Sequence, residues 1–173
     1  MLPKVKKEPK AKTPEQALAV LMRLAARAER SSGDALRLMQ RWGVEPAERR
    51  KVLQRLIETK FIDDRRYASA FVRDKLRFSG WGAYKIKAAL RAKGVAAEII
   101  DEAIAEETDT TAMNDRLVTM LERKARNTKY KTVYELKTKL LRYGASLGYD
   151  FETVADAAAQ ILKNQNDECD DFL

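Results

Sequence analysis

The residues best suited to chemistry lie in one stretch, FIDDRRYASAFVR at 61–73, where the adjacent carboxylates Asp63 and Asp64 precede two arginines and an apolar helical pattern. Paired carboxylates can act as general acid and base or hold a divalent metal. Either task needs a pocket, a tuning group or further ligands, and the neighbouring sequence supplies none. The chain has no histidine, which removes Ser-His-Asp and Cys-His activation and every imidazole metal ligand. Its single cysteine, Cys169, sits in the acidic stretch NDECDDFL without an intrachain thiol partner, an arrangement that suits a reducing compartment. Asp63 and Asp64 are therefore expected to cap a helix, accepting orphan backbone N–H groups and opposing the positive end of the helix dipole. No enzyme activity, metal or other cofactor is expected.

What remains is positive charge. At 100° per residue Tyr67, Ala68, Phe71, Val72 and Leu76 share one broad face, the expected core side. Arg73 and Arg77 each fall about 20° from Arg66, on the opposite side. Such a stripe is either a solvated face or an anion-binding surface, and arginine rather than mixed-sign charge favours the second. From 65 to 93 there are nine basic residues, including Lys85, Lys87, Arg91 and Lys93, against the single acid Asp74. A second belt follows, in which Arg123, Lys124, Arg126, Lys129, Lys131, Lys137, Lys139 and Arg142 face only Glu122 and Glu135. The helical stretch 96–107 carries five acids, so charge is segregated along the chain. The net charge of +8 and pI near 9.6 suit a polyanionic partner or an acidic protein surface. Between the arginine stripe and Lys85, the GWG at 80–82 is too short for a phosphate-binding P-loop and lacks its Lys-Ser end. Trp81 is expected as a corner residue, with stacking on a base as the alternative.

The elements that must position these groups read as helices throughout. With 45% hydrophobic and 35% charged residues the chain is expected to fold. Thr13, Pro14 and Gln16 form a helix-start pattern, with Leu18, Leu21, Met22 and Ala25 following at helical spacing. Gly43, Gly94 and Gly148 each precede an apolar residue (Val44, Val95, Tyr149); an acid follows at the third helical position, Glu48 and Glu98, and Glu152 matches Glu98. The spacings, 51 and 54 residues, mark a threefold repeat of helix, helix, Gly-apolar corner, helix. Helices are expected over 14–30, 33–42 and 46–59, then 64–78, 83–93 and 96–107, then 111–127, 132–145 and 151–163. Three repeats, at 13–60, 61–108 and 109–164, would lie between a mobile basic arm at 1–12 and an acidic tail at 165–173. Modules of this size bury little alone, so they should share apolar faces in an all-α, elongated and curved molecule. No window approaches the roughly 18 apolar residues of a membrane span, and the basic N-terminal stretch lacks the apolar core of a secretory signal; a cytoplasmic location is expected.

The stretch KFIDDRRYASAFVRDKLRFSGWGAYKIKAALRAKGVAAEIIDEAI resembles the middle module of the RecX family of bacterial recombinase regulators. The "FIDD-RYA--FVR" helix start and the "G-G---I---L--KGV" middle carry the resemblance, which is strong over 60–104, fair over 14–59 and weaker beyond 110. In SLGYDFETV, Leu147 stands where the family usually has arginine, and Gly144 is expected to loosen the helix before it. The resemblance implies three tandem three-helix repeats and a non-enzymatic, negative regulator of the RecA recombinase. Its partner would be the RecA nucleoprotein filament, with weak, sequence-independent contact to single-stranded DNA and no membrane. It would act as a monomer in DNA repair, homologous recombination and the SOS response. The charge stripes, not the resemblance, select the binding surface: Arg66, Arg73, Arg77, Lys85, Lys87, Arg91, Lys93, Arg123, Lys124, Lys137, Lys139 and Arg142. Two other readings stay open, a nucleic-acid-binding helical repeat without a recombinase partner and a helical adaptor for acidic proteins. Tandem modules predict a radius of gyration clearly above the ~16 Å of a compact domain of this length; a small-angle scattering value at ~16 Å would count against them.

Overall fold

The first helix begins as its sequence dictates. Thr13 accepts the Gln16 N–H at 3.3 Å while the Gln16 side chain accepts the Thr13 N–H at 3.2 Å, a reciprocal capping box. The computed structural model describes residues 11–170, with side chains described through Lys163. Its helices are α1 (Pro14–Ala25), α2 (Ser32–Arg41), α3 (Pro46–Glu58), α4 (Asp64–Asp74), α5 (Ala83–Ala92), α6 (Ala97–Glu107), α7 (Thr110–Arg126), α8 (Val133–Leu147) and α9 (Phe151–Asp170). A π-helical turn, Lys75–Ser79, extends α4. Among the described residues there is no strand. The three corner glycines, Gly43, Gly94 and Gly148, take left-handed φ values of 71°, 76° and 89°, which end the preceding helix at little steric cost. Val44, Val95 and Tyr149, one residue on, are all buried.

Four boundaries differ from expectation. The first helix stops at Ala25 rather than 30, because Ser31 must leave helical geometry to cap α2. The fourth changes to a π turn at Lys75 and closes on left-handed Gly80, where the expectation was regular helix to 78. The eighth runs through Gly144 to Leu147, and Gly144 does not loosen it. A Cβ at Gly144 would lie 2.6 Å from Val154 Cγ2, so the missing side chain lets α8 and α9 approach. The ninth continues to Asp170, into the expected acidic tail. Residues 1–10 of the basic arm expected at 1–12, and the last residues, 171–173, lie outside the described residues.

Two compact units form, and their limits cut through the middle repeat expected at 61–108. In the first, residues 11–68 with 91–99, α3 packs on α1 and α2 around Leu21, Met39, Val44, Leu56 and Ile62. Here the start of α2 sits on the Lys93–Gly94 corner. Ser31, fully buried, donates to the Lys93 carbonyl at 2.7 Å and accepts the Asp34 N–H at 3.1 Å. Arg37 donates to the Ala92 carbonyl at 3.0 Å and to Asp34 at 2.6 Å, and Lys93 pairs with Asp34 at 3.3 Å. Burial alone would raise the Asp34 pKa, but the hydrogen bonds and charges of Arg37 and Lys93 hold it below its ordinary value. A Cβ on Gly33 would lie 2.8 Å from Gly94 Cα, so the two backbones touch.

The second unit, residues 69–90 with 100–170, repeats that join. Its core is α7, α8 and α9 packed around Leu117, Leu121, Leu136, Leu140, Val154 and Ala158. The start of α5 sits on the Leu147–Gly148 corner, with Gly82 N–H donating to the Leu147 carbonyl at 2.8 Å and Tyr84 N–H to the Gly148 carbonyl at 3.1 Å. A Cβ on Gly82 would come within 2.6 Å of the Tyr149 nitrogen. At the first corner, Lys12 N–H donates to the Trp42 carbonyl at 2.9 Å, the same position relative to its glycine.

The tight α8–α9 crossing yields a coupling prediction. Gly144→Ala should cost roughly 1–3 kcal/mol through overpacking. Adding Val154→Ala removes the methyls it strikes, so the double variant should be less destabilised than the two singles summed, by at least about 0.5 kcal/mol. Chemical denaturation measures this, and strict additivity would show that Gly144 is tolerated for another reason.

Candidate functional site

The acid pair proves to be two caps on two helices. Asp63 Oδ1 accepts the N–H groups of Arg65 at 3.0 Å and Arg66 at 3.2 Å, closing the start of its own helix. Asp64 Oδ1 accepts the Ser32 N–H at 2.8 Å and so caps α2 instead. Among the described residues no group of three or more Asp, Glu or Cys side chains is placed to hold a metal ion.

The basic residues divide by what they already hold. In the first unit Arg66 donates to Glu29 at 2.6 Å and to the Lys60 carbonyl at 3.2 Å; the hydrogen bond to Glu29 raises its already high pKa. Lys93 holds Asp34, as above, whereas Arg91 is exposed and makes no ion pair among the described residues. In the second unit Arg73 grips Glu107 through two bonds, at 2.8 and 3.1 Å, which lower the carboxylate's pKa. Lys87 pairs with Asp101 at 2.7 Å. Lys85 donates to the Ser146 carbonyl at 2.9 Å and lies 4.7 Å from the Trp81 ring centre. Lys139 holds Glu135 at 2.6 Å and the Lys129 carbonyl at 2.8 Å. Its hydrogen bond, and then that from the Lys131 backbone, lowers the Glu135 pKa. Lys124 rests 5.4 Å from the centre of the Tyr143 ring. Arg77, Arg123, Lys137 and Arg142 are exposed and make no ion pair among the described residues. These ion pairs are partly exposed, so each contributes little stability; their effect is to fix where charge points and to offset it.

The arginine stripe is thus not a uniform anion surface: Arg66 and Arg73 are engaged with carboxylates, and the π turn carries Arg77 out of the 100° register. Arg77 instead lines a cleft of about 180 Å³ with Leu76, Met113 and Arg116. A second cleft, of about 330 Å³, is lined by Phe78, Ser79, Arg116, Thr119, Met120 and Arg123. Arg116 belongs to both, which brings Arg77 and Arg123 into one neighbourhood through a residue that charge counting had not selected. Phe78 was missed as well. Seven residues after Phe71, regular helical spacing puts it on the core face, yet the π turn leaves it 78% exposed. Trp81 is the corner residue: Phe71 meets its ring edge-on at 6.4 Å, and Lys75 stands 5.0 Å from its centre. One signal could have found Arg116, which is that it and Arg123 fall seven apart on α7, on one helix face.

Residues 63–104 match the profile of the second three-helix domain of RecX. A Regulatory protein RecX of Mycobacterium sp. (strain KMS) is 31% identical over 158 residues, which cover 88% of this chain and 85% of the relative. One from Clostridium botulinum (strain Eklund 17B / Type B) is 31% identical over 115 residues, covering 65% of this chain and 52% of the relative. The chain thus spans about half the length of that relative. The crystal structure of RecX from Lactobacillus salivarius superposes with a TM-score of 0.75 at 19% identity, over 87% of this chain and 96% of that one, which establishes likeness of fold. On the identity and near-full coverage of the Mycobacterium relative, this chain belongs to the RecX family.

Proposed function

We propose that this chain is a non-enzymatic, negative regulator of the RecA recombinase that lies along the RecA–single-stranded DNA filament and limits ATP hydrolysis, filament growth and strand exchange. Family membership carries the reading, since the matched relatives bear the name Regulatory protein RecX. The physical chemistry agrees with it. A filament offers the same surface at every protomer, so linked weak contacts act at high effective concentration and no single tight site is needed. Basic side chains steer such an encounter. Of the twelve residues chosen from charge, Arg77, Arg91, Arg123, Lys137 and Arg142 have no ion-pair partner among the described residues and are the first candidates for direct contact. The paired ones, Arg66, Arg73, Lys87, Lys93 and Lys139, serve first to hold elements in place.

Titrating the protein into a single-stranded-DNA-dependent ATPase assay of the cognate recombinase, at low salt, tests the reading. Inhibition at less than one molecule per RecA protomer is expected. Lys137→Glu with Arg142→Glu breaks no described ion pair and should weaken inhibition several-fold with helix content intact. If ATPase and filament lifetime are both unaltered by the intact protein, the regulator reading fails and a plain nucleic-acid binder replaces it. Binding to free DNA should be weak, and log affinity should fall with log salt at a slope of roughly −3 to −5 for four to six neutralised phosphates; a slope near zero would remove phosphate contact from the account.

A further inference from the structure

We infer that the cleft between the Lys75–Ser79 π turn and α7 is a subsite for one unstacked base of single-stranded nucleic acid and its flanking phosphates. The inference deepens the reading above and rests on it only in taking single-stranded DNA as the ligand. Phe78 is a large apolar ring, 78% exposed, on a turn that is not loose. Trp81 N–H donates to the Lys75 carbonyl at 3.2 Å, closing the turn. Gly80 is buried with a left-handed φ of 62°, and a Cβ there would sit 2.5 Å from Met120 Sδ and 3.4 Å from Arg116 Nε. The turn is therefore seated directly on α7, and its ring is held out beside the cleft rather than swung out by disorder.

The rest of the lining supplies what a nucleotide needs. Arg116 and Arg123, two turns apart on α7, put two guanidinium groups at the cleft, and neither forms an ion pair among the described residues. Ser79 and Thr119 add hydroxyls, and Met120 a polarizable thioether. A base can stack on the Phe78 ring while the guanidinium forks take phosphate oxygens, the combination by which single strands are bound without sequence preference. A duplex keeps its bases stacked inside and cannot use the ring. An acidic peptide would satisfy the arginines but leave a flat ring in water. The acids of the adjoining cleft do not cancel this charge outright: Glu107 is held by Arg73, and Asp109 accepts the Thr111 and Ala112 N–H groups at the start of α7.

Fluorescence anisotropy of the full chain with a labelled oligothymidylate, and with an abasic strand of equal length, tests the subsite. Phe78→Ala should lower oligothymidylate affinity roughly tenfold, the scale of one lost base–aromatic stack, and leave abasic binding unchanged. Phe78→Trp should restore the oligothymidylate affinity. Arg116→Gln with Arg123→Gln should weaken both strands and flatten the salt slope by about 1 to 2. The inference is overturned if Phe78→Ala binds oligothymidylate like the wild type, if it loses both strands equally, or if the wild type binds neither. A Phe78→Ala protein that binds DNA normally but no longer inhibits RecA ATPase would place a protein contact there instead, and also overturns it. If strand binding overturns the subsite while inhibition survives every substitution, the regulator reading still stands.

Discussion

The end of a helix leaves backbone carbonyls without intrahelical partners, and covering them unsatisfied by a packed segment is costly. Here the carbonyl just ahead of each corner glycine receives a donor from a segment far back in the chain: Lys12 N–H for Trp42, the Ser31 hydroxyl for Lys93, and Gly82 N–H for Leu147. At the second and third corners the donor segment carries its own glycine, Gly33 or Gly82, lying against Gly94 or the Gly148–Tyr149 backbone. Side chains on either partner would separate the backbones and break the bond. One device, used once in each compact unit, thus sets where a middle helix begins relative to the following corner.

That device also decides which charges are available. Around the first join, Asp34, Arg37 and Lys93 form a closed set with the Ala92 carbonyl, and Lys85 is drawn to the Ser146 carbonyl at the second. Arg66 and Arg73 are held by Glu29 and Glu107. Much of the positive charge in the belts is therefore spent on architecture. The positive charge left without such a partner is set less by density of lysine and arginine than by which carboxylates and carbonyls the fold brings alongside.

Exposed aromatics follow a similar logic. Trp81, expected as a corner residue with base stacking as the alternative, is taken up by Phe71, Lys75 and Lys85 at the corner. Phe78, three residues earlier, is released by one widened helical turn. Such π turns are rare and accompany functional positions. In this chain the turn does two things at once: it ends the arginine stripe and turns a would-be core residue toward water.

The sequence by itself determined the helices, the corners and the family. Caps such as Thr13 and Asp63, left-handed glycines at 43, 94 and 148, and the buried faces through Ala68, Val72, Ile86 and Leu90 depend on neighbours within a few residues. Short-range periodicity therefore reports them. Tertiary structure alone decided the rest. Asp64 caps a helix 32 residues away, Ser31 reaches a carbonyl 62 residues on, and Gly144 is required by Val154 in another helix. None of these distances leaves a periodic trace. The free and the committed arginines look alike in sequence, because a guanidinium's availability depends on which carboxylates the packing sets beside it, and only the folded chain determines that.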